Sequence, residues 1–361
     1  KFKVKVVGVD SPITIEEKAS TITLKNGALT LSKLTNNSNS SGLYTITHPA
    51  DSTLQIGATE SVTEYRYRGA NPKNYVTFNN EVWRIIGVFP TDDGTGKIEN
   101  RIKIVRNESI GNSYWNNCTD ANSDYICDDT NKAMNDWTGA TLNTYLNGTY
   151  LNSLDSTSQS LISNTKYYLG GPGAEAGTDE AVLKALQTTG IQLYSNERKI
   201  QNGNCSAVTY GNTTLYLGTE CYYYGTNPNS FTGKLALMYA SDYFYASENC
   251  EDKMMYDLTD NNTDDLTSRK DIIACNDTNW LYNLKVNEWY LPQFSRDSIY
   301  VLFLRSVGVF TDDGDIEGDY KCAARPVLYL TSSTKITGGT GTSTDPYTCL
   351  LYTSDAADDR I

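Results

Sequence analysis

Histidine is all but missing from this sequence. Of 361 residues one is a histidine, His48, so no two-histidine metal site and no pair of histidine acid–base groups can be built. Long apolar runs are missing too. The best, Ile299–Leu304, falls far short of the roughly 18 residues that span a bilayer. No cysteine spacing is Cys-x-x-Cys, which sets aside zinc and thioredoxin chemistry. Gly170-Gly171-Pro172-Gly173 lacks the lysine and the strand-to-helix setting of a phosphate loop. Positive charge is in deficit, with 30 basic against 43 acidic residues and a net charge of -13. That balance opposes nucleic-acid binding and attraction to anionic lipid. What remains is 39% hydrophobic and 20% charged, enough apolar matter for a packed core. The length allows two domains, or one large domain with an appendage.

Cysteine is plentiful, with eight residues. Six fall into sequence-local couples: Cys118 with Cys127, Cys205 with Cys221, and Cys250 with Cys275. Each encloses polar sequence rich in Asn, Asp and Thr that has little core of its own. A disulfide restricts such a loop in the unfolded chain by about 2–4 kcal/mol. Cysteines placed this way favour an oxidising, extracellular setting; the other reading is a set of unpaired thiols in the cytosol. Spacing leaves more than one connectivity open. Cys322 has no evident partner and reads as a small buried residue rather than a nucleophile.

The chain begins and ends as β-structure. Phe2, Val4 and Val6 alternate with lysines, and Asn26-Gly27 lies between two short apolar pairs, a hairpin signal. Residues 1–60 therefore read as a β-rich segment, the end of a preceding domain or an appendage. A main domain starts near residue 61. Asn79-Asn80 predicts a tight turn from Tyr75–Phe78 into Val82–Phe89, which is apolar on both faces and reads as a central strand. Leu142, Tyr145, Leu146 and Tyr150 keep helical spacing, Ser156 is placed to cap a second helix, and Thr178–Leu186 predicts a third. Residues 190–278 are long, polar and tyrosine-rich, the kind of stretch that marks a functional surface. Trp289–Leu291, Ile299–Leu304, Val307–Phe310 and Arg325–Leu330 predict closing strands, with Asp312-Asp313-Gly314-Asp315 as an acidic turn.

Val82-Trp83-Arg84-Ile85-Ile86-Gly87 near the start and Ala324-Arg325-Pro326-Val327-Leu328-Tyr329-Leu330 near the end resemble an uncharacterised family of secreted or surface-anchored Firmicute proteins. The stretches Leu142–Asn147, Gly233–Tyr243, Asn279–Tyr282 and Lys335–Thr342 fit the same pattern, so the resemblance covers residues 62–348. More distantly the layout is similar to C-type-lectin-like domains. That similarity implies an α+β fold with an antiparallel sheet, short helices and long disulfide-braced loops. It does not imply sugar binding, because the fold hosts several functions. Trp289-Tyr290-Leu291-Pro292 departs modestly from the family's usual strand. Residues 349–361 resemble the translation of a sequencing adapter, which makes them a non-native tail; the alternative is an ordinary acidic tail.

Tyrosine is the loudest signal, with 27 residues. Tyr222, Tyr223, Tyr224, Tyr243 and Tyr245, with Asp242, form a candidate ligand face, since a tyrosine joins a flat apolar ring to a polar tip. The competing reading has these tyrosines filling a core. Asp260, Asn262 and Asp264 mimic the first three liganding positions of a calcium loop, but Asp265 stands where that loop needs glycine. The competing reading is a solvated loop. Arg84 and Arg325 stand among apolar residues and require carboxylate partners, for which Glu81, Asp242 and Glu288 are candidates. His48, in Thr47-His48-Pro49, reads as a loop residue. The expected function is an extracellular, cell-surface binding or adhesion module without catalysis and without a cofactor beyond a structural calcium. Its partner is a glycan or protein ligand, not a nucleic acid, and it meets a membrane only through an anchor outside this sequence. The alternatives are a pilin-like structural subunit and an oxidase of the sulfatase-modifying type.

Overall fold

Two asparagines start the fold. Asn79 and Asn80 both adopt positive φ, 52° and 57°, the backbone that a two-residue hairpin turn demands and that asparagine tolerates. The turn joins Tyr75–Phe78 to the long strand Glu81–Asp92 in the register Phe78↔Glu81 to Tyr75↔Arg84. A computed structural model shows the rest, describing residues 21–23, 42–117, 126–127, 132–173, 188–248, 250–254, 274–316 and 320–351.

In chain order the strands are β1 Thr21–Thr23, β2 Gly42–His48, β3 Val62–Arg68, β4 Tyr75–Phe78, β5 Glu81–Asp92, β6 Ile98–Arg106 and β7 Asn112–Ser113. Next come β8 Ile126–Cys127, β9 Lys132–Ala133, β10 Thr165–Tyr168, β11 Ser206–Tyr210, β12 Thr213–Leu217, β13 Ser230–Gly233 and β14 Leu235–Ala236. The last are β15 Glu288–Gln293, β16 Tyr300–Leu304, β17 Phe310–Asp315, β18 Cys322–Ala323, β19 Val327–Tyr329, β20 Thr334–Thr337 and β21 Tyr347–Leu351. The helices are short. We label α1 the turns beginning at Thr141–Tyr145 and running on through Leu146–Tyr150 and Leu151–Ser153, α2 Ser156–Leu161, α3 Gly190–Glu197 and α4 Ala240–Tyr245. The fold is thus mixed α+β with antiparallel sheets, few helices and disulfides.

The main sheet has ten strands in the order β1-β20-β21-β4-β5-β6-β19-β14, with β3 pairing β5 and β2 pairing β3. The Trp83 strand and the Val327 strand therefore lie in one sheet with β6 between them. A bulge between Ile85 and Gly87 lets β3 cross closely over β5. A Cβ at Gly87 would fall 2.0 Å from the Tyr65 carbonyl oxygen, so only glycine fits there. A five-stranded sheet, β17-β16-β15-β18-β7, contributes Trp289 to the same apolar core. Trp115 packs between the two other tryptophans, its ring 5.0 Å from Trp137 and 6.1 Å from Trp289. Losing one such ring costs about 3–5 kcal/mol.

Several expectations change. Across residue 60, β2 pairs with β3 over its whole length, and Leu43 and Ile56 join the core. His48 is not a loop residue but the buried end of β2. Asp155, not Ser156, caps α2, accepting from the Ser158 amide at 2.8 Å. Asp312–Asp315 is not a turn; it lies within β17, opposite β16. Thr178–Leu186 lies outside the described residues, as do residues 1–20. Tyr347–Leu351 pairs with β20 and β4 across the Thr348 limit placed on sequence grounds. Gly170 and Gly171 are packing glycines, their Cβ positions 2.1 Å from the Asn196 oxygen and 1.9 Å from the Gln293 oxygen.

Candidate functional site

Strand β3 reverses the usual pattern. Alternation places Val62, Glu64, Arg66 and Arg68 on one face, and that face is inside. Glu64 is 2% exposed and Arg66 1%. Charges buried so deeply need partners, and these arrive from distant parts of the chain. Arg66 Nε donates to Glu64 Oε2 at 2.8 Å and Nη1 donates to Asp242 Oδ1 at 3.0 Å. Lys103, on β6, donates to Asp242 Oδ2 in a short contact. The Tyr239 amide donates to the same Oδ2 at 3.0 Å, which ties the carboxylate to the start of α4.

A second pair lies beside it. Thr189 and Gln192 form a reciprocal cap that starts α3. The helix carries Glu197 to its end, next to Arg198. Arg198 Nη1 donates to Glu197 Oε2 at 2.9 Å, and the Ser241 amide donates to Glu197 Oε1 at 2.9 Å. His48 Nε2 lies 3.3 Å from Glu64 Oε2, and its ring stacks on Tyr194 with centroids 3.6 Å apart. Three cations, Arg66, Lys103 and Arg198, thus face three carboxylates, Glu64, Glu197 and Asp242, all buried.

Aromatic rings close this centre. The Arg66 guanidinium lies between Phe89 and Tyr245, 4.6 and 4.7 Å from their centroids. Lys103 Nζ is 4.1 Å from the Tyr239 ring, and Arg198 is 3.7 Å from the Tyr194 ring. Burial pulls the Lys103 amine down to about 8 against the opposing pull of Asp242. Burial alone would raise Glu64, but Arg66 and His48, with Arg198, outweigh it and hold the carboxyl well below the usual range. Burial raises Glu197, with Arg198 and Ser241 opposing.

The residues of the candidate ligand face lie at different depths. Asp242, Tyr243 and Tyr245 all lie on α4 and are buried, at 1%, 1% and 3% exposure. Asp242 is the anion of the charged centre, Tyr245 covers Arg66, and the Tyr243 hydroxyl donates to Asn276 Oδ1. Tyr223 is buried, its hydroxyl donating to the Lys199 carbonyl. Tyr222 and Tyr224 are half-buried. Of these rings Tyr245 serves the charged centre directly, as a π face for Arg66. Asp260, Asn262 and Asp264 lie outside the described residues, so the calcium loop is not placed. Among the described residues no group of three His, Cys, Asp or Glu is arranged to hold a metal ion.

Two cysteine couples are disulfides, Cys205–Cys221 with Cα atoms 5.2 Å apart and Cys250–Cys275 at 6.0 Å. Cys127 is disulfide-bonded; Cys118 lies outside the described residues. Cys322 is free, and burial pushes its thiol up to about 12. The Cys205–Cys221 bond clasps the base of the β11–β12 hairpin. Strand β12 is held to the body: the Tyr216 amide donates to the Arg296 carbonyl at 3.0 Å, and the Tyr224 hydroxyl donates to the Thr214 carbonyl at 2.9 Å. Strand β11 is outward, with Ser206, Ala207, Val208 and Thr209 exposed.

Arg325 has the partner expected of it, gripping Glu288 through Nε and Nη2. Arg84 does not: Glu81 goes to Arg106 and Asp242 to Arg66 and Lys103. The inward charges of β3 and Lys103 were missed by sequence reasoning. Their one signal is a period of two, Glu64-x-Arg66-x-Arg68, which reads equally well as a solvent face. Compared with known proteins, the chain matches no family model, no curated protein and no solved structure.

Proposed function

We propose that this chain is an extracellular, cell-surface binding or adhesion module without catalysis, on a C-type-lectin-like frame, and that its ligand contacts lie on the clasped hairpin β11–β12. The observation that carries this reading is the outward strand β11, exposed along Ser206–Thr209 and fastened at its base by Cys205–Cys221. An edge strand usually carries a charge or a proline that discourages pairing. Ser206-Ala207-Val208-Thr209-Tyr210 carries neither. Tyr224 and Tyr216, 5.0 Å apart edge to face, brace the hairpin from behind and hold its shape before a ligand arrives. The Trp83 and Val327 strands in one sheet, and the β4–β21 pairing that joins early and late chain, fit the lectin-like layout.

A glycan or a protein is the expected ligand. An oxidase reading gains no support, since Cys205, Cys221, Cys250, Cys275 and Cys127 are disulfide-bonded and Cys322 is a buried thiol. The test is a glycan array together with a panel of purified extracellular proteins, with and without calcium. Wild type is expected to bind at least one member. Val208→Glu is expected to weaken that contact more than tenfold while leaving thermal unfolding unchanged. A wild-type chain that binds nothing on either panel would sink the reading.

A further inference from the structure

The Lys103–Asp242 pair carries chemistry beyond an ion pair. Both side chains are 0% exposed. Lys103 projects from the middle of β6, between Ile102 and Ile104, and Asp242 from the first turn of α4. The two residues are 139 apart in sequence, and their charged ends touch. Nζ touches Oδ2, the oxygen bonded to Asp242 Cγ, so the amine and the carboxyl carbon it would attack are held side by side. Phe89, Tyr239 and Tyr329 surround the amine with rings, at 5.7, 4.1 and 5.5 Å.

We propose that Lys103 and Asp242 form an intramolecular amide that covalently joins β6 to α4. The ammonium first passes a proton across the contact to Oδ2. The neutral nitrogen then attacks Cγ, forming the Nζ–Cγ bond and moving the negative charge onto Oδ1. Arg66 Nη1, 3.0 Å from Oδ1, is aimed at the oxygen where that charge develops. The Cγ–Oδ2 bond breaks, and Oδ2 leaves as water with two of the three ammonium protons; the third stays on the amide nitrogen. No oxidant, cofactor or second substrate is needed.

Three features favour the step. The buried amine is already easier to deprotonate than an ordinary lysine, at about 8. Charge stays balanced, because the product removes one cation and one carboxylate and leaves Arg66 and Arg198 facing Glu64 and Glu197. Replacing two desolvated charges by one neutral amide also relieves the cost of burying them. Arg66 touches the reacting oxygen directly and is not consumed.

The experiment is intact-mass spectrometry of the reduced full chain, followed by trypsin digestion. The expected mass is below the sequence mass by one water. The digest is expected to contain a branched species joining Ile102–Arg106 to Leu235–Lys253, with no cleavage after Lys103. Lys103→Met is expected to restore the full sequence mass, less only the change of residue. The wild-type measurement decides the matter even if that variant does not fold. A full-mass wild-type chain that trypsin cuts after Lys103 would overturn the proposal, and so would a loss of water without the branched peptide.

Discussion

Arg66 and Arg84 make an instructive pair. They stand on adjacent strands, β3 and β5, and both are buried, at 1% and 3% exposure. Arg66 is met by two carboxylates, Glu64 and Asp242, as well as two rings. Among the described residues Arg84 meets no carboxylate. Its Nε donates to Asn74 Oδ1 at 2.7 Å, and Tyr75 and Trp280 cover its two sides at 3.9 and 4.6 Å. Burial pulls the Arg84 guanidinium down to about 10, with Tyr75 opposing and Arg325 adding to the fall. One guanidinium is thus held by charge and the other by π faces and one amide. The first arrangement makes each partner depend on the other, because removing one leaves a charge stranded in a poor solvent. The second leaves a cation that gives up little when it is replaced.

Breaking the Arg66 side of the comparison has the largest expected effect. Asp242→Ala strands Lys103 and takes one of the two carboxylates from Arg66, and chemical denaturation should show a loss of about 3–5 kcal/mol. A loss under about 1 kcal/mol would mean that the charged centre does not hold α4 to the sheet.

A smaller effect is expected in acid. Glu64 has a folded-state pKa below its ordinary value of 4.5. Its contribution is therefore fully present above pH 4.5 and is lost as pH falls through the lower, folded value. Glu64→Gln should flatten that acid limb in a pH series of thermal melts. An unchanged limb would show that Arg66 and His48 do not stabilise the carboxylate.

The smallest effect belongs to Arg84. Arg84→Met keeps the length and apolar stem and loses only the cation–π contacts and one hydrogen bond. Removal of the desolvated charge offsets those losses, so stability should stay within about 1 kcal/mol of wild type. A loss as large as that of Asp242→Ala would put the two arginines in one class.

Much of the frame is legible in the residues. Asn79-Asn80 announces a turn because asparagine tolerates left-handed backbone, and the apolar run after it announces a central strand. Two cysteine couples are found paired, since both partners lie close in sequence and enclose polar loops with little else to hold them. The depth of the candidate ligand face is not legible in the residues. Tyr243, Tyr245 and Asp242 looked like recognition residues because tyrosine and aspartate suit recognition, but the same residues suit a buried cation centre equally well. His48 looks like a loop residue next to a proline, and its pairing in β2, its contact with Glu64 and its stacking on Tyr194 from α3 place it inside.

Local features were set by the chain itself: the period of two along the strands, the turn at Asn79, and the reach of Cys205 to Cys221. Those depend on neighbours a few bonds or a short loop away. Which face of β3 turns inward depended on tertiary structure, because the second carboxylate of Arg66 sits 176 residues further along. A charge becomes tolerable in the interior only when such a distant partner arrives. No pattern along one strand carries that information.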